Sequence, residues 1–408
     1  MGILKSESQN GNSVLTKTFA LWVQGGEWMD AISTAPAPQP RESTPIRRDI
    51  SKLVTAGLAN EGKTTMKPKV STGFACRLLM TVAAIALAPA AFAQSSGAHG
   101  SFFVLDNPGD PNFNQLLGIN DGHVIVGYFG DGTAIPNNGY VLVPKNHYSV
   151  ENFTNLPSGD FVSQTQAIGI NNRRFPDIVG FYTDHATGFT HGFLDSNGVQ
   201  SPIDDPAGSP PNVTSPVQNL LGINDFDKAA GFWTDNNGHE HGFVVHLDTH
   251  SLGLSKFIEI PPTTFAGAVA TQASDITDKD QVCGFWTDAN GDNHGFFGRL
   301  GKTFSTFNVK INDTTATSTS PFGCNDEREI VGSFTDSNGN IHGFIFAHRR
   351  FFQFDAAGSS QTPAFGVMGT FINGVNDRGD IVGFFSDGTK VNGFVNFAPA
   401  SDRDDDQN

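Results

Sequence analysis

The sequence predicts an all-β fold, a six-bladed β-propeller of four-stranded blades whose ring is closed by an N-terminal strand completing the last blade. Three observations predict it. First, a unit of about fifty residues recurs six times between Asn120 and Asn376. Its glycines, Gly127, Gly180, Gly231, Gly284, Gly332 and Gly383, each follow an apolar pair and precede two aromatics or an aromatic and Ser. Four residues after each glycine stands an aspartate: Asp131, Asp184, Asp235, Asp288, Asp336 and Asp387. Second, the apolar residues come in short runs rich in Val, Ile, Phe, Tyr and Trp, split by Asn, Asp and Gly clusters, which punctuates strands rather than helices. Third, the sixth unit has no fourth strand after Phe394, while residues 101–109 resemble the fourth-strand pattern of residues 201–208. A strand borrowed from the N-terminus leaves no open sheet edge between first and last blades; an open array or two packed sheets would have such edges to cap.

Taken in chain order, residues 1–65 do not share the repeat and are expected either not to belong to the native protein or to be disordered, with Met66 as the start. Lys67, Lys69 and Arg77 precede an apolar run, Leu78 to Ala93, that ends in Ala91-Phe92-Ala93. Basic flank, apolar centre and small-residue end predict a signal peptide over 66–93, cleaved after Ala93. The run is short for a membrane span and is broken by Pro89, so no stable membrane insertion is expected after cleavage. The protein is thus expected to be secreted or periplasmic. Residues 94–100 read as a linker, 101–397 as the propeller, and 398–408 as a disordered acidic tail.

Within the fifth unit the expected strands are 320–325, 329–335, 341–347 and 351–355, joined by turns such as Asp336 to Asn340. Phe181, Phe232, Phe285, Phe334 and Phe384 are expected to fill the space between blades, and the glycine before each aromatic pair to permit close strand approach. The inter-blade loops fall at 107–114, 155–165, 205–217, 261–271, 310–319 and 356–370. They differ in length, and variable loops on a constant scaffold are where recognition resides.

The chain has 25 basic and 41 acidic residues. Without residues 1–93, 15 and 35 remain, a formal charge of about −20. Nucleic acid is excluded as a partner, because phosphates select Lys and Arg clusters. Cys283 and Cys324 occupy positions that other units fill with Val, Ala or Ile, and read as small buried apolar residues, with a disulfide between neighbouring repeats as the alternative.

The run Asn-Asp, turn, Ile-Val-Gly, aromatic, turn, His-Gly-Phe resembles the HAF repeat family of extracellular bacterial repeats, named for a His-Ala-Phe tripeptide. Here the tripeptides begin at His191, His241, His294 and His342, with Asn138 and Asn392 in the end units, and Gly replaces the family's Ala. The resemblance implies an exported repeat protein and brings no catalytic residue or ligand.

Two sets of repeated residues invite a chemical reading. Asp235 and Asn237, Asp288 and Asn290, and Asp336 and Asn338 set oxygens two residues apart before a glycine, as a calcium loop begins. The following bidentate acid is missing, and Asp-x-Asn-Gly also makes a hairpin turn in which Asp caps backbone amides. The turn is the preferred reading, with calcium as the one cofactor weighed against none. The four histidines could join the aspartates around a transition metal, but a feature repeated in four to six equivalent blades usually serves the blade, and a structural Asp–His hydrogen bond is expected. His239-Glu240-His241 lacks a third ligand, and Arg378-Gly379-Asp380 falls in a turn. No nucleophile elbow, phosphate loop or catalytic carboxylate pair is present. The expected function is a binding scaffold that recognises a protein or a cell-surface glycan through the inter-blade loop face. The alternatives are a lyase or hydrolase acting on polysaccharide or small substrates, and a calcium-stabilised envelope protein.

Overall fold

The β-branched and aromatic runs form strands because they suit a pleated, half-buried surface. The computed structural model describes residues 101–144, 148–152, 162–247 and 256–399. Residues 1–65, the expected signal peptide 66–93 and linker 94–100, most of the loop 155–165 and the expected tail from residue 400 lie outside them.

Six four-stranded antiparallel sheets follow one another as blades. Their first strands are Asn114–Ile119, Val162–Ile170, Gln218–Ile223, Ala268–Ile276, Ser318–Cys324 and Thr370–Val375. The second strands are Ile125–Phe129, Ile178–Asp184, Lys228–Thr234, Gln281–Asp288, Ile330–Thr335 and Ile381–Ser386. The third strands are Asn138–Pro144, Thr190–Ser196, Glu240–His246, Asn293–Arg299, Ile341–Ala347 and Val391–Phe397. Five outer strands, Tyr148–Asn152, Val199–Ile203, Lys256–Ile260, Ser305–Phe307 and Arg350–Phe354, continue their own units. The sixth is Ser101–Val104, which pairs with the third strand of the last blade in the register Ser101↔Phe397 to Val104↔Phe394. The ring therefore closes as expected, and the first strands touch one another all the way round.

A second closure lies at one end of the axis, on the face where first strands turn into second strands; this is called the lower face. Backbone N–H groups there donate to the next blade: Asp121 to Asn172 Oδ1 at 2.7 Å, Asn172 to Asp225 Oδ1 at 2.8 Å, and Asp225 to Asp278 Oδ1 at 2.8 Å. Asp326 donates to Asp377 Oδ1 at 2.9 Å, and Asp377 donates back to Asp121 Oδ1 at 3.1 Å. Just inside, Asn120, Asn171, Asn224, Asn325 and Asn376 each donate a side-chain N–H to a backbone carbonyl of the following blade. Thr277 interrupts that inner ring because it has no amide to donate. The repeated Gly-Ile-Asn-Asp is thus a latch between blades.

Each first strand carries a β-bulge, as between Leu116 and Gly118 or Ala273 and Asp275. The repeated glycine lies against it: a Cβ at Gly127, Gly180, Gly231, Gly284, Gly332 or Gly383 would collide with a first-strand carbonyl oxygen. Side chains then alternate. Phe181, Phe232, Phe285 and Phe384 join Leu117, Ile168, Leu221 and Phe322 in one cluster around the axis. Phe334, one residue further from its glycine, points to the opposite face of its sheet and packs between blades 4 and 5 with Cys283 and Cys324. Both cysteines are free and buried in that cluster, and burial pushes both thiols up.

Candidate functional site

The upper face holds the hairpins between second and third strands together with the inter-blade connections. In every hairpin the repeated aspartate accepts backbone N–H groups of its own turn. Asp235 Oδ1 takes those of Asn237 (2.8 Å) and His239 (2.9 Å), and Asp288 Oδ1 those of Asn290 (2.8 Å) and Asp292 (3.0 Å). Asp336 Oδ1 takes those of Asn338 and Asn340, both at 2.8 Å. Asp131, Asp184 and Asp387 do the same in shorter or irregular turns. Although partial burial pushes the Asp387 carboxyl up, hydrogen bonds from Thr389, Lys390 and Asn392 outweigh it and hold it at about 2. The glycines that follow, such as Gly238, Gly291 and Gly339, lie at φ of 83 to 87°, where a side chain would be strained. The turn oxygens are engaged by the turn, and among the described residues no three His, Cys, Asp or Glu side chains are grouped to hold a metal ion.

The four histidines belong to the same blade framework but reach further than their turn. His241, His294 and His342 stand 3.6, 3.6 and 3.7 Å from Asp235, Asp288 and Asp336. Three of the four have closer partners past the outer strand: His191 with Asp204 at 2.6 Å, His294 with Asn308 at 3.0 Å and His342 with Asp355 at 2.8 Å. These outer-strand partners were not legible from the repeat, because they sit where unit boundaries blur. Each imidazole also lies against the aromatic two residues after the repeated glycine, His241 stacking on Trp233 at 4.1 Å and 6°. The carboxylates of Asp204 and Asp355 raise the His191 and His342 imidazoles above their usual range. In Arg378-Gly379-Asp380 the aspartate is not available to a partner, since Asp380 is buried and accepts from Asn376 and Ala398.

One place on the upper face departs from the repeat. Directly after the repeated glycine, five blades carry Tyr128, Phe181, Phe232, Phe285 and Phe384; blade 5 has Ser333. At the paired first-strand position, Gln115, Gln166, Asn219, Gln272 and Phe371 stand where blade 5 has Ser320. Two small residues replacing two large ones leave a cleft of about 610 Å³ between blades 3, 4 and 5. Phe285 and Phe334 give it an apolar wall, while Glu240, Gln272, Asn293, Ser318 and Ser320 supply polar groups.

Those groups are held in place. Gln272 Nε2 donates to Glu240 Oε2 at 2.6 Å, Asn293 Nδ2 to Ser320 Oγ at 3.0 Å, and Thr287 Oγ1 to Asn293 Oδ1 at 2.8 Å. Burial pushes the Glu240 carboxyl up to about 7, partly offset by the Gln272 hydrogen bond. Near neutrality Glu240 can therefore donate a proton or accept one. Beside the cleft, the connection 310–319, expected as plain loop, folds into a short hairpin pairing Lys310–Ile311 with Thr314–Thr315. Asn312 and Asp313 make its turn in the left-handed region, φ 48° and 64°.

No family model and no curated protein matches the chain. Among solved structures it is similar to the Trypanosoma rangeli sialidase at 10% identity and TM-score 0.40, covering 71% of this chain and 54% of that one. It is also similar to the Aleuria aurantia lectin in complex with alpha-methyl-L-fucoside, at 10% identity and TM-score 0.42, covering 69% of this chain and 90% of the lectin. A Hadza microbial sialidase matches at 10% identity and TM-score 0.44, over 71% of this chain and 65% of its own. The chain spans about half the length of the Trypanosoma enzyme. At these values the likeness carries no argument about ligand or reaction, and the fold rests on the strand pairing above.

Proposed function

We propose that this chain is an exported repeat protein of HAF type that binds a glycan in the upper-face cleft between blades 3, 4 and 5. The observation that carries the reading is the replacement of an axial aromatic by Ser333. It breaks six-fold uniformity to open a cleft where hydroxyl, amide and carboxyl groups surround an aromatic wall. A saccharide offers the complement: hydroxyls that donate and accept, and apolar C–H faces that lie against rings. The acidic surface directs the search toward neutral or cationic sugars, since an anionic one would meet Glu240, Asp292 and Asp336 at the rim. A glycan array probed with the full chain, followed by calorimetry on the best hit, tests it. Binding that survives Glu240→Gln together with Asn293→Ala would place the ligand elsewhere and overturn the assignment.

A second reading, a polysaccharide hydrolase or lyase, is favoured by the Glu240 carboxyl, whose raised pKa suits a general acid or base. Incubating the best-bound glycan with the protein and analysing products separates the two readings. Turnover abolished by Glu240→Gln selects the enzyme, and unchanged glycan selects the binding protein.

A further inference from the structure

At the lower end of the axis the six first strands end around a second cavity, of about 90 Å³, room for a few water molecules. Asp225, Asp278, Asp326 and Asp377 line it, and Asp121 completes their ring through the blade latch. Each of these five uses an oxygen to accept a backbone N–H of the neighbouring blade. Deeper in the cavity Asp275 replaces the glycine of the other units, its oxygens accepting from Ile276 N at 2.8 Å and Cys324 N at 3.0 Å. Against this charge stand Arg173 near Asp278, Lys279 beside Asp326 and Arg378 near Asp121.

The inner wall carries a second and independent signal. Where blades 1, 2, 3 and 5 place Leu117, Ile168, Leu221 and Phe322, blades 4 and 6 place Ser274 and Asn373. Both line the same cavity, are only 3% and 7% exposed, and hold an oxygen, Ser274 Oγ and Asn373 Oδ1, with no hydrogen-bond partner among the described residues. An apolar plug would complete this layer without them, so their oxygens imply an occupant that uses them.

We infer that the lower axial cavity binds one hydrated divalent cation, surrounded by the axial carboxylates and met at its inner end by Ser274 and Asn373. Direct chelation by the carboxylates alone does not fit, because no three acidic side chains converge closely enough; water fills the remaining coordination positions, as hard cations readily allow. Carboxylates gathered around one small cavity repel one another, and a cation relieves that repulsion.

The test uses the full chain, stripped with chelator and dialysed against Ca²⁺, Mg²⁺ or K⁺ at fixed ionic strength, with metal content and thermal midpoint measured together. One equivalent of a divalent ion is expected to stay bound, and the midpoint to rise with its concentration. Asp278→Asn combined with Asp377→Asn should weaken retention about tenfold or more, the scale seen for outer-shell ligands. Ser274→Leu restores the residue of blades 1 and 3 and should lower retention with the fold intact, so it carries the test if the double variant does not fold. Asp288→Ala, in a hairpin turn of the upper face, should leave retention unchanged. No divalent retention above the K⁺ control overturns the inference. So does retention that persists in both axial variants, or that is lost in Asp288→Ala, which would move the ion to the turns.

Discussion

The two faces of this propeller are built on opposite plans. On the lower face the turns between first and second strands repeat closely, and each presents an Asn and an Asp, or a near relative, to the next blade. The result is a closed ring of hydrogen bonds from Asp121 round to Asp377 and back, with the Lys279 N–H making the link from blade 4 to Asp326. On the upper face the connections differ in length, and at blade 5 the axial packing itself changes through Ser320 and Ser333. Repetition holds the ring together, whereas its interruption makes room. The contrast teaches that in a repeat fold the residues worth testing for function are those that fail to repeat.

The largest effect expected on the repeating side comes from its glycines. Gly284→Val would drive a side chain into the Gln272 carbonyl and the Phe296 ring, and should cost about 4 kcal/mol or abolish folding. Near-native denaturant unfolding of that variant would break the comparison. On the interrupted side, Ser333→Phe restores the aromatic of the other blades. It should reduce glycan binding about tenfold or more while stability moves by only about 1–3 kcal/mol, read by calorimetry and melting on one sample. Equal losses of stability in the two variants would mean that blade 5 is no more permissive than its neighbours.

A smaller effect should appear with pH. The folded Glu240 and Asp275 carboxyls are raised to about 7 and that of Asp377 to about 6, burial being the first cause in each. A raised carboxyl binds its proton more tightly in the folded state, so its contribution is fully present below the ordinary carboxylate pKa and is lost as pH rises through the folded one. The thermal midpoint should therefore fall between about pH 4.5 and pH 7, and Glu240→Gln should flatten part of that slope. The turn aspartates have the opposite sign. With Asp387 held at about 2 and the others also below their usual range, their contribution is present above the ordinary value and is lost as pH falls through the folded one. A midpoint rising steadily from pH 5 to pH 8 would contradict the assignment of the raised carboxyls.

Least is expected from single turns. Asp336→Ala removes the acceptor of two backbone N–H groups at the protein surface and should cost about 1 kcal/mol. Its effect should be the same with calcium as with chelator. A calcium-dependent difference would turn the hairpins from caps into metal sites.

Much of the scaffold was legible in the residues. The expected fifth blade, 320–325 to 351–355, lies within two residues at each boundary of the observed Ser318–Cys324, Ile330–Thr335, Ile341–Ala347 and Arg350–Phe354. Strand length, turn chemistry and period are local properties, and each unit states them again. The hairpin at 310–315 was missed because two-residue strands are too short to show alternation. The cleft left a signal, Gly332-Ser333-Phe334 among aromatic neighbours, but one serine in a strand has no meaning until its place on the axis is known.

What belongs to the chain alone is the six-fold count, the strands, the turns and the borrowed N-terminal strand. These follow from short-range patterning and from the need to leave no sheet edge unpaired. Only the closed ring decided which repeated groups meet. It set the Asn and Asp of each lower turn against the next blade, brought Glu240 to Gln272 across a blade boundary, and placed Ser274 and Asn373 over one cavity. Those pairings depend on how the sheets pack around the axis, where residues some fifty apart in sequence become neighbours, and no local pattern encodes that distance.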